Sequence, residues 1–388
     1  MPKSPSLSRR VVIRGLLAAS SLALVKTTAG CAPAKQKSAA ETGGKDLIVG
    51  FIYVGPKDDY GYNQAHAEGA AALAKMAGVK VVEEANVPET TAVVETMRNM
   101  IEVDGATLLF PTSFGYFDPH VLKLAQDYPD VQFLHCGGLY QPGHPKNVGS
   151  YFGYIDEAQY VAGIVAAHTS KAGKLGFIAA KPIPQVLRNI NSFTLGARSV
   201  KPEITTQVVF TGNWSEPVKE AEAANSLVDQ GIDVLTCHVD SPKIIMETAE
   251  KRGIFCSGYH TDQAALAPKG YLTGAEWDWA TVYQNYGKDV QAGKSLANGG
   301  IPHLYRGGLA EKFVRVSPYG IAVSEAAKKD ADTAQQKLRS GELVIYTGVV
   351  KDNQGRVVIP QGQVFKQRDL ALEKMDWLVA GVKGSTKS

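Results

Sequence analysis

Beyond Gly30 the chain lacks any run of about 18 apolar residues, so no later segment reads as a membrane span. Cysteine is scarce: the 388 residues hold four, and one of these, Cys31, belongs to the leader region. The other three, Cys136, Cys237 and Cys256, contain no Cys-x-x-Cys pair and each closes an apolar, strand-like run. Buried free thiols are therefore expected, with a Cys237–Cys256 disulfide as the alternative. No glycine-rich phosphate loop ending in Lys-Ser/Thr and no G-x-S-x-G elbow is present, which removes two common catalytic frames. Excess positive charge is also missing from the body. Residues 1–30 hold five basic side chains and no acidic one; setting those five aside from the whole-chain +3 leaves about −2. No basic patch remains to bind nucleic acid.

What is present begins at the first residues. Ser8-Arg9-Arg10-Val11-Val12-Ile13-Arg14 leads into an apolar stretch at 15–25 and then Lys26-Thr27-Thr28-Ala29-Gly30-Cys31. A basic start, a short apolar middle and a small-residue end describe an export signal over residues 1–30. The paired arginines resemble a twin-arginine signal, and Ala29-Gly30-Cys31 resembles a lipobox, with Thr28 where that pattern usually has leucine. A plain cleaved signal is the alternative. On the first reading Cys31 carries lipid, and the polar, aperiodic segment 31–45 is a flexible tether. The working protein then lies in the periplasm or on the outer face of the cytoplasmic membrane.

The roughly 355 residues that follow exceed one ordinary core, so two domains are expected. Apolar runs at 47–53, 80–84, 106–111, 132–136 and 148–154 alternate with helix-like segments at 63–77, 91–103 and 118–128. The pattern restarts with helices at 156–171, 185–200, 217–230 and 243–252, between strands at 175–179, 206–210, 234–237 and 254–256. Continuous apolar strands spaced by helices are the pattern of parallel βαβ units. The last hundred residues add helices at 279–297 and 324–340 and a hairpin within 344–365. The expected division is lobe 1 at 46–154, completed by about 277–310, and lobe 2 at 155–276, completed by about 311–382. Two α/β lobes on an exported, tethered chain point to a hinged ligand trap. Ligands of open α/β sheets bind at the carboxyl ends of strands, so the loops there are the candidates.

Four such loops stand out, at 55–64, 112–118, 211–217 and 257–263. They set Tyr62, Phe114, Tyr116, Trp214 and Tyr259 beside Gly, Asn and Asp. Rings cover the faces of a flat ligand while amides and carboxylates meet its polar edge. The edge candidates are Asn63, Asn189, Asn191, Asp240, Asp262 and Glu276. The Asp58-Asp59 pair reads as a solvated turn.

Tyr62-Asn63-Gln64, Glu68-Gly69, Asn147-Val148-Gly149, Asp156-Glu157-Ala158, Ala162-Gly163, Gly196-Ala197, Asn213-Trp214, and Gly258 with Asp262-Gln263 together resemble the basic-membrane-protein family. These are substrate-binding lipoproteins of ABC importers that include purine nucleoside receptors. The resemblance spans 46 to about 382. It implies an α/β, two-lobed type I periplasmic-binding-protein fold, each lobe a mostly parallel sheet flanked by helices. It also implies a monomer that works with an ABC permease, without catalysis, cofactor or metal. By the same resemblance Tyr62-Asn63 would stack on and bond a base, Trp214 would supply a second stacking ring, and Asp262 would meet a ribose. Where nucleoside receptors carry a lysine, this chain places Trp277. Loss of that cation and gain of a ring imply a bare purine nucleobase or similar planar heterocycle. A nucleoside is the alternative within the family.

Two readings of other classes draw on the same residues. His238-x-Asp240 and His260-x-Asp262 could seat a metal, but no wider ligand set accompanies them. An exported nucleoside hydrolase would also use aspartates beside a purine. The aspartate-rich first loop of such enzymes is absent here.

Overall fold

The computed structural model describes residues 46–386, so the expectations for the export signal, the tether and lipid on Cys31 fall outside the described residues. The first run of alternating segments forms β1 (Leu47–Ile52), α1 (Tyr62–Leu73), β2 (Val79–Glu84), α2 (Ala92–Glu102), β3 (Leu108–Pro111), α3 (Leu122–Asp127), β4 (Gln132–Cys136) and β5 (Val148–Gly153). The second forms α4 (Asp156–Thr169), β6 (Lys174–Ala179), α5 (Pro184–Val200), β7 (Thr205–Phe210), α6 (Pro217–Asp229), β8 (Val234–His238), α7 (Lys243–Arg252), β9 (Phe255–His260) and β10 (Tyr271–Trp277). Then come α8 (Trp279–Gln291), β11 (Leu304–Gly307), β12 (Val314–Val316), α9 (Glu325–Ser340), the short strands β13 (Tyr346–Thr347), β14 (Val350–Lys351), β15 (Val357–Ile359) and β16 (Val364–Phe365), and finally β17 (Val382–Lys383).

The strands make two large sheets, ordered β11-β5-β4-β3-β1-β2 and β12-β10-β9-β8-β6-β7-β17, and two small antiparallel ones, β13-β16 and β14-β15. All pairs in the first are parallel, and in the second only β10–β12 is antiparallel. Each large sheet is one lobe of a two-lobed α/β fold. The chain passes between them repeatedly, since β11 returns to the first sheet while β12 and β17 complete the second. Strands buried on both faces explain why they read as unbroken apolar runs. No helix among the described residues is long and apolar enough to cross a membrane.

Helices α4 and α5 meet more closely than ordinary side chains allow. A Cβ on Gly163 would sit 2.0 Å from the Phe193 carbonyl oxygen, and one on Gly196 would sit 1.9 Å from that of Tyr160. Replacing either glycine forces the helices apart, at the cost of overpacking. A further buried cluster lies beside the first sheet, built on Ile52, Val93, Met97, Leu109 and Phe133.

Several boundaries differ from those the sequence suggests. The helix expected at 118–128 is regular only as α3, because Asp118, pushed out of the helical region by the proline that follows it, holds φ −118° and ψ 123°. The helix expected at 279–297 stops at Gln291, two residues before Gly293 adopts φ +77°. Strand β9 continues to His260, through a segment expected to be loop, because Gly258 lies opposite Gly274 and the parallel pairing with β10 carries on. Cys136, Cys237 and Cys256 are free and buried, so the Cys237–Cys256 disulfide does not form.

Candidate functional site

The carboxyl ends of both sheets face one cavity. From the first sheet come Tyr62 after β1, Ser113 and Phe114 after β3, Cys136 at the end of β4, and Phe152 of β5. From the second come Gln185 in the first turn of α5, Trp214 after β7, His238 and Asp240 at the end of β8, His260 closing β9 and Trp277 closing β10. The non-atom space between these walls is about 430 Å³, open solvent included, and little of it is enclosed in this closed form. The cavity therefore sits where the topology of open α/β sheets places ligands.

The lobes are closed over this cavity by contacts along one lip. The Tyr62 N–H donates to the Asp240 carbonyl (2.8 Å), the Ser241 hydroxyl to the Asp59 carbonyl (2.7 Å), and the Gln263 amide to the Tyr60 carbonyl (2.7 Å). Gly61 makes this approach possible, since a Cβ there would lie 1.9 Å from the Asp240 carbonyl oxygen. On the far side the Gln185 amide donates to the Gly137 carbonyl at 3.2 Å.

The rings are held by their own bonds. The Tyr62 hydroxyl donates to the Thr112 carbonyl, leaving its ring edge-on to His66 and His260. Trp277 stacks on Trp279 at 4.6 Å and 16°, and its indole N–H donates to His260 Nδ1 at 2.8 Å. Trp214 is half-buried, with the Lys181 ammonium 5.0 Å from its ring centroid. Phe114 is the exposed member of the set.

The polar groups divide into spent and available. His260 is spent: Nδ1 accepts from Trp277, and Nε2 gives its proton to the Val239 carbonyl. Burial pushes its pKa well down, so the ring is neutral. His238 Nδ1 accepts from the Asn189 amide (2.8 Å) and the Tyr259 hydroxyl (3.2 Å). Burial pushes His238 down to about 3. A neutral imidazole that accepts at Nδ1 carries its proton on Nε2, which lies 3.4 Å from the Tyr259 hydroxyl and can donate there or to a ligand. The Asp240 carboxyl has no hydrogen-bond partner among the described residues. Burial, together with the carboxylates of Asp59, Glu89 and Glu220, raises its pKa well above the ordinary value, while Lys181 opposes. A ligand donor facing Asp240 and a ligand acceptor facing His238 would satisfy both.

The candidates named from the sequence thus separate. Tyr62, Phe114, Trp214, Asp240 and Trp277 line the cavity together. The other six do not. Asn63 is buried with its amide on Asp59 (2.8 Å) and its carbonyl on the Gly55 N–H (3.2 Å), so it shapes the loop. Asp59, expected in a solvated turn, is buried and accepts from the N–H groups of Gly61, Asn63 and Gln64 at the start of α1. Tyr116 packs in the cluster beside the first sheet, its hydroxyl on the Val87 carbonyl. Asn189 acts through His238. Asn191 anchors the C-terminal segment, accepting from the Val379 N–H (2.8 Å) and donating to the Trp377 carbonyl (2.9 Å). Asp262 is exposed and caps the Ala264 N–H at 2.8 Å. Glu276 is buried on the neighbouring strand position and pairs with Arg315 at 2.5 Å. With Asp262 turned away, the two His-x-Asp pairs do not converge. No cluster of three metal-ligating side chains occurs among the described residues.

Ser113, Cys136, Phe152, Gln185, His238 and His260 also line the cavity and were not singled out as ligand contacts. One signal was available: His238 and His260 each lie at a strand's carboxyl end, as Trp277 does.

Residues 47–354 match the family model described as Bmp, ABC transporter substrate-binding protein PnrA-like. A purine-binding protein of Brucella abortus is 36% identical over 338 residues, which is 87% of this chain and 93% of that protein. A Haloferax volcanii protein, whose name offers glucose as the ligand of an ABC transporter, is 29% identical over 366 residues, covering 94% and 85%. Among solved structures, an ABC-transporter solute-binding protein from Aeropyrum pernix superposes with a TM-score of 0.64 at 20% identity, over 79% of this chain and 93% of the other. That likeness carries the fold.

Proposed function

This chain belongs to the Bmp family of PnrA-like ABC-transporter substrate-binding proteins, and from that premise we propose that its ligand is a purine nucleobase or similar planar heterocycle. The ligand is held between the lobes, and the closed form is presented to an ABC permease. The carrying observation is the cavity where Tyr62, Phe114, Trp214 and Trp277 surround a slot that has Asp240 and His238 for a polar edge. Ring contacts with a base are worth about 1–3 kcal/mol each, so Tyr62 and Trp214 would give about 2–6. Micromolar binding needs about 8 kcal/mol, and desolvated edge bonds to Asp240 and His238 supply the remainder.

A bare base is favoured over a nucleoside by two placements. Trp277 occupies the position at which the family resemblance sets a lysine, and it is fixed there by Trp279 and His260. Asp262, the residue that would meet a ribose, is engaged with Ala264 and exposed. The leader supports a lipid anchor on Cys31 after twin-arginine export, which would hold a monomer at the outer face of the membrane.

Calorimetry on the mature protein with adenine, guanine, hypoxanthine, xanthine and their nucleosides tests this. The expected result is binding of one or more bases, without turnover, and a change in tryptophan emission. Binding of nucleosides alone would overturn the role given to Trp277. Accumulation of product would make the protein an enzyme, and binding of glucose but no purine would remove the heterocycle altogether.

A further inference from the structure

A second space lies against the ring slot. Phe114 and Gln185 also line a second chamber, of about 710 Å³ including space open to solvent. Its other walls are Phe117, Leu139, Ile183 and Pro184, with the backbone at Gly115, Gly137 and Gly138. Phe114 keeps 45% of its surface exposed, and its ring stands between the two spaces.

The polar groups of the chamber's glycine wall are already engaged. The Gly115 N–H donates to Glu89 (2.8 Å), that of Gly138 to His135 Nδ1 (3.0 Å), and that of Gly137 to the Tyr151 carbonyl (2.9 Å). The Gly137 carbonyl accepts from Gln185 (3.2 Å) and the Gly138 carbonyl from Arg306 (3.0 Å). Glu373, which also lines the chamber, is paired with Arg306 at 3.2 Å, and that guanidinium is bonded to Ser150 as well. Asp118 stands exposed at the rim. A sugar here would leave hydroxyls unbonded, and a phosphate would meet carboxylates and no free cation. An apolar arm would lose nothing and gain burial against Phe117, Leu139 and Ile183.

We propose that this chamber is a second subsite that takes an apolar alkyl or aryl substituent on the heterocycle held in the ring slot. The proposal rests on the planar-heterocycle reading and narrows it: the preferred ligands are substituted bases, and nucleotides are excluded.

Calorimetry with adenine, benzyladenine and adenosine monophosphate on wild type and on Leu139→Trp tests it. The substitution fills the outer chamber and leaves the ring slot alone. The expected result is that benzyladenine binds wild type at least as tightly as adenine, while the monophosphate does not bind. Leu139→Trp should weaken benzyladenine by about tenfold or more, the loss of one buried phenyl group, and leave adenine unchanged. If adenine binds wild type but benzyladenine binds more weakly, the subsite is wrong while the purine reading stands. Equal weakening of both ligands in Leu139→Trp also overturns the subsite. If neither base binds, the purine reading itself falls and takes the subsite with it.

Discussion

The two halves of the cavity are built alike and equipped differently. From the first lobe, Tyr62 and Ser113 have given their hydroxyls to Thr112 and Glu89, and Phe114 and Phe152 offer only rings. Cys136 adds a thiol that burial pushes up to about 12, so it stays neutral. From the second lobe, Asp240 faces the cavity with an unpartnered carboxyl, and His238 is set by Asn189 and Tyr259 as a donor. The first half supplies rings alone, and the second adds hydrogen-bonding groups to the rings of Trp214 and Trp277. On the proposed reading, a ligand that met the second lobe first would find its polar partners there, and the first lobe would then close over its face.

Acid should weaken both lobes, because each buries two neutral histidines: His66 and His135 in the first, His238 and His260 in the second. Burial lowers all four, His135 and His238 to about 3. A histidine whose folded pKa lies below its unfolded value gives its full stabilisation only above about 6.5. It loses that as pH falls toward the folded pKa, at about 1.4 kcal/mol per pH unit. Glu157, pushed up to about 8 by burial, works in the opposite sense with the same slope over this window, and the raised Asp240 adds to it. Asp59 and Glu220, also raised by burial, act in the same sense as Glu157, so the fall in stability between pH 6.5 and 4.5 is smaller than the four histidines alone would give. Urea unfolding at the two pH values measures it. Stability that stays flat or rises would mean that these histidines are charged in the folded protein.

The division of roles is sharpened by Asp240→Ala and Trp214→Ala. Losing the Asp240 carboxyl removes a bond to the ligand worth about 1.5–3 kcal/mol, so affinity falls about tenfold to a hundredfold. No protein partner is orphaned, and repulsion with Asp59, Glu89 and Glu220 is relieved. The melting temperature should therefore hold or rise. A drop in stability with affinity intact would place Asp240 in the fold and not in the site. Trp214→Ala should cost about 1–3 kcal/mol of binding, at least tenfold for most of that range, with the fold retained because the ring is only half-buried. Unchanged affinity in calorimetry would leave the slot with one stacking face.

The fold was legible because both sheets are parallel and buried, which writes each strand as an apolar run and each crossover as a helix. The rings of the site were legible for a similar reason: Tyr62, Trp214 and Trp277 stand where strands end. The edge residues were not. Asn63, Asn191 and Asp262 have the side chains a ligand would use, but each satisfies backbone groups of its own loop or of the C-terminal segment. Sequence gives the donor and acceptor capacity of a side chain, whereas the partner depends on which segment folds beside it. His238 shows the converse: in the sequence its only visible use was a metal site that lacked a wider ligand set, and the approach of Asn189 and Tyr259 from other elements sets its proton toward a different use.

The smallest effect tests the first lobe's half of the contrast most directly. Ser113 lines the cavity, and its hydroxyl would suit a ligand's edge, yet it donates to Glu89 at 2.6 Å. The same Glu89 oxygen also accepts from the Gly115 N–H at 2.8 Å, so the bond fixes the loop that carries Phe114. Ser113→Ala removes one protein–protein bond and should lower stability by about 0.5–1.5 kcal/mol. Affinity should change by less than about twofold, because one ordinary hydrogen bond to the ligand would be worth about tenfold and none is lost. Calorimetry paired with a thermal melt separates the two quantities. A tenfold loss of affinity with unchanged stability would mean that the hydroxyl leaves Glu89 for the ligand on binding. Both lobes would then supply edge contacts, and the first lobe would be more than a cover.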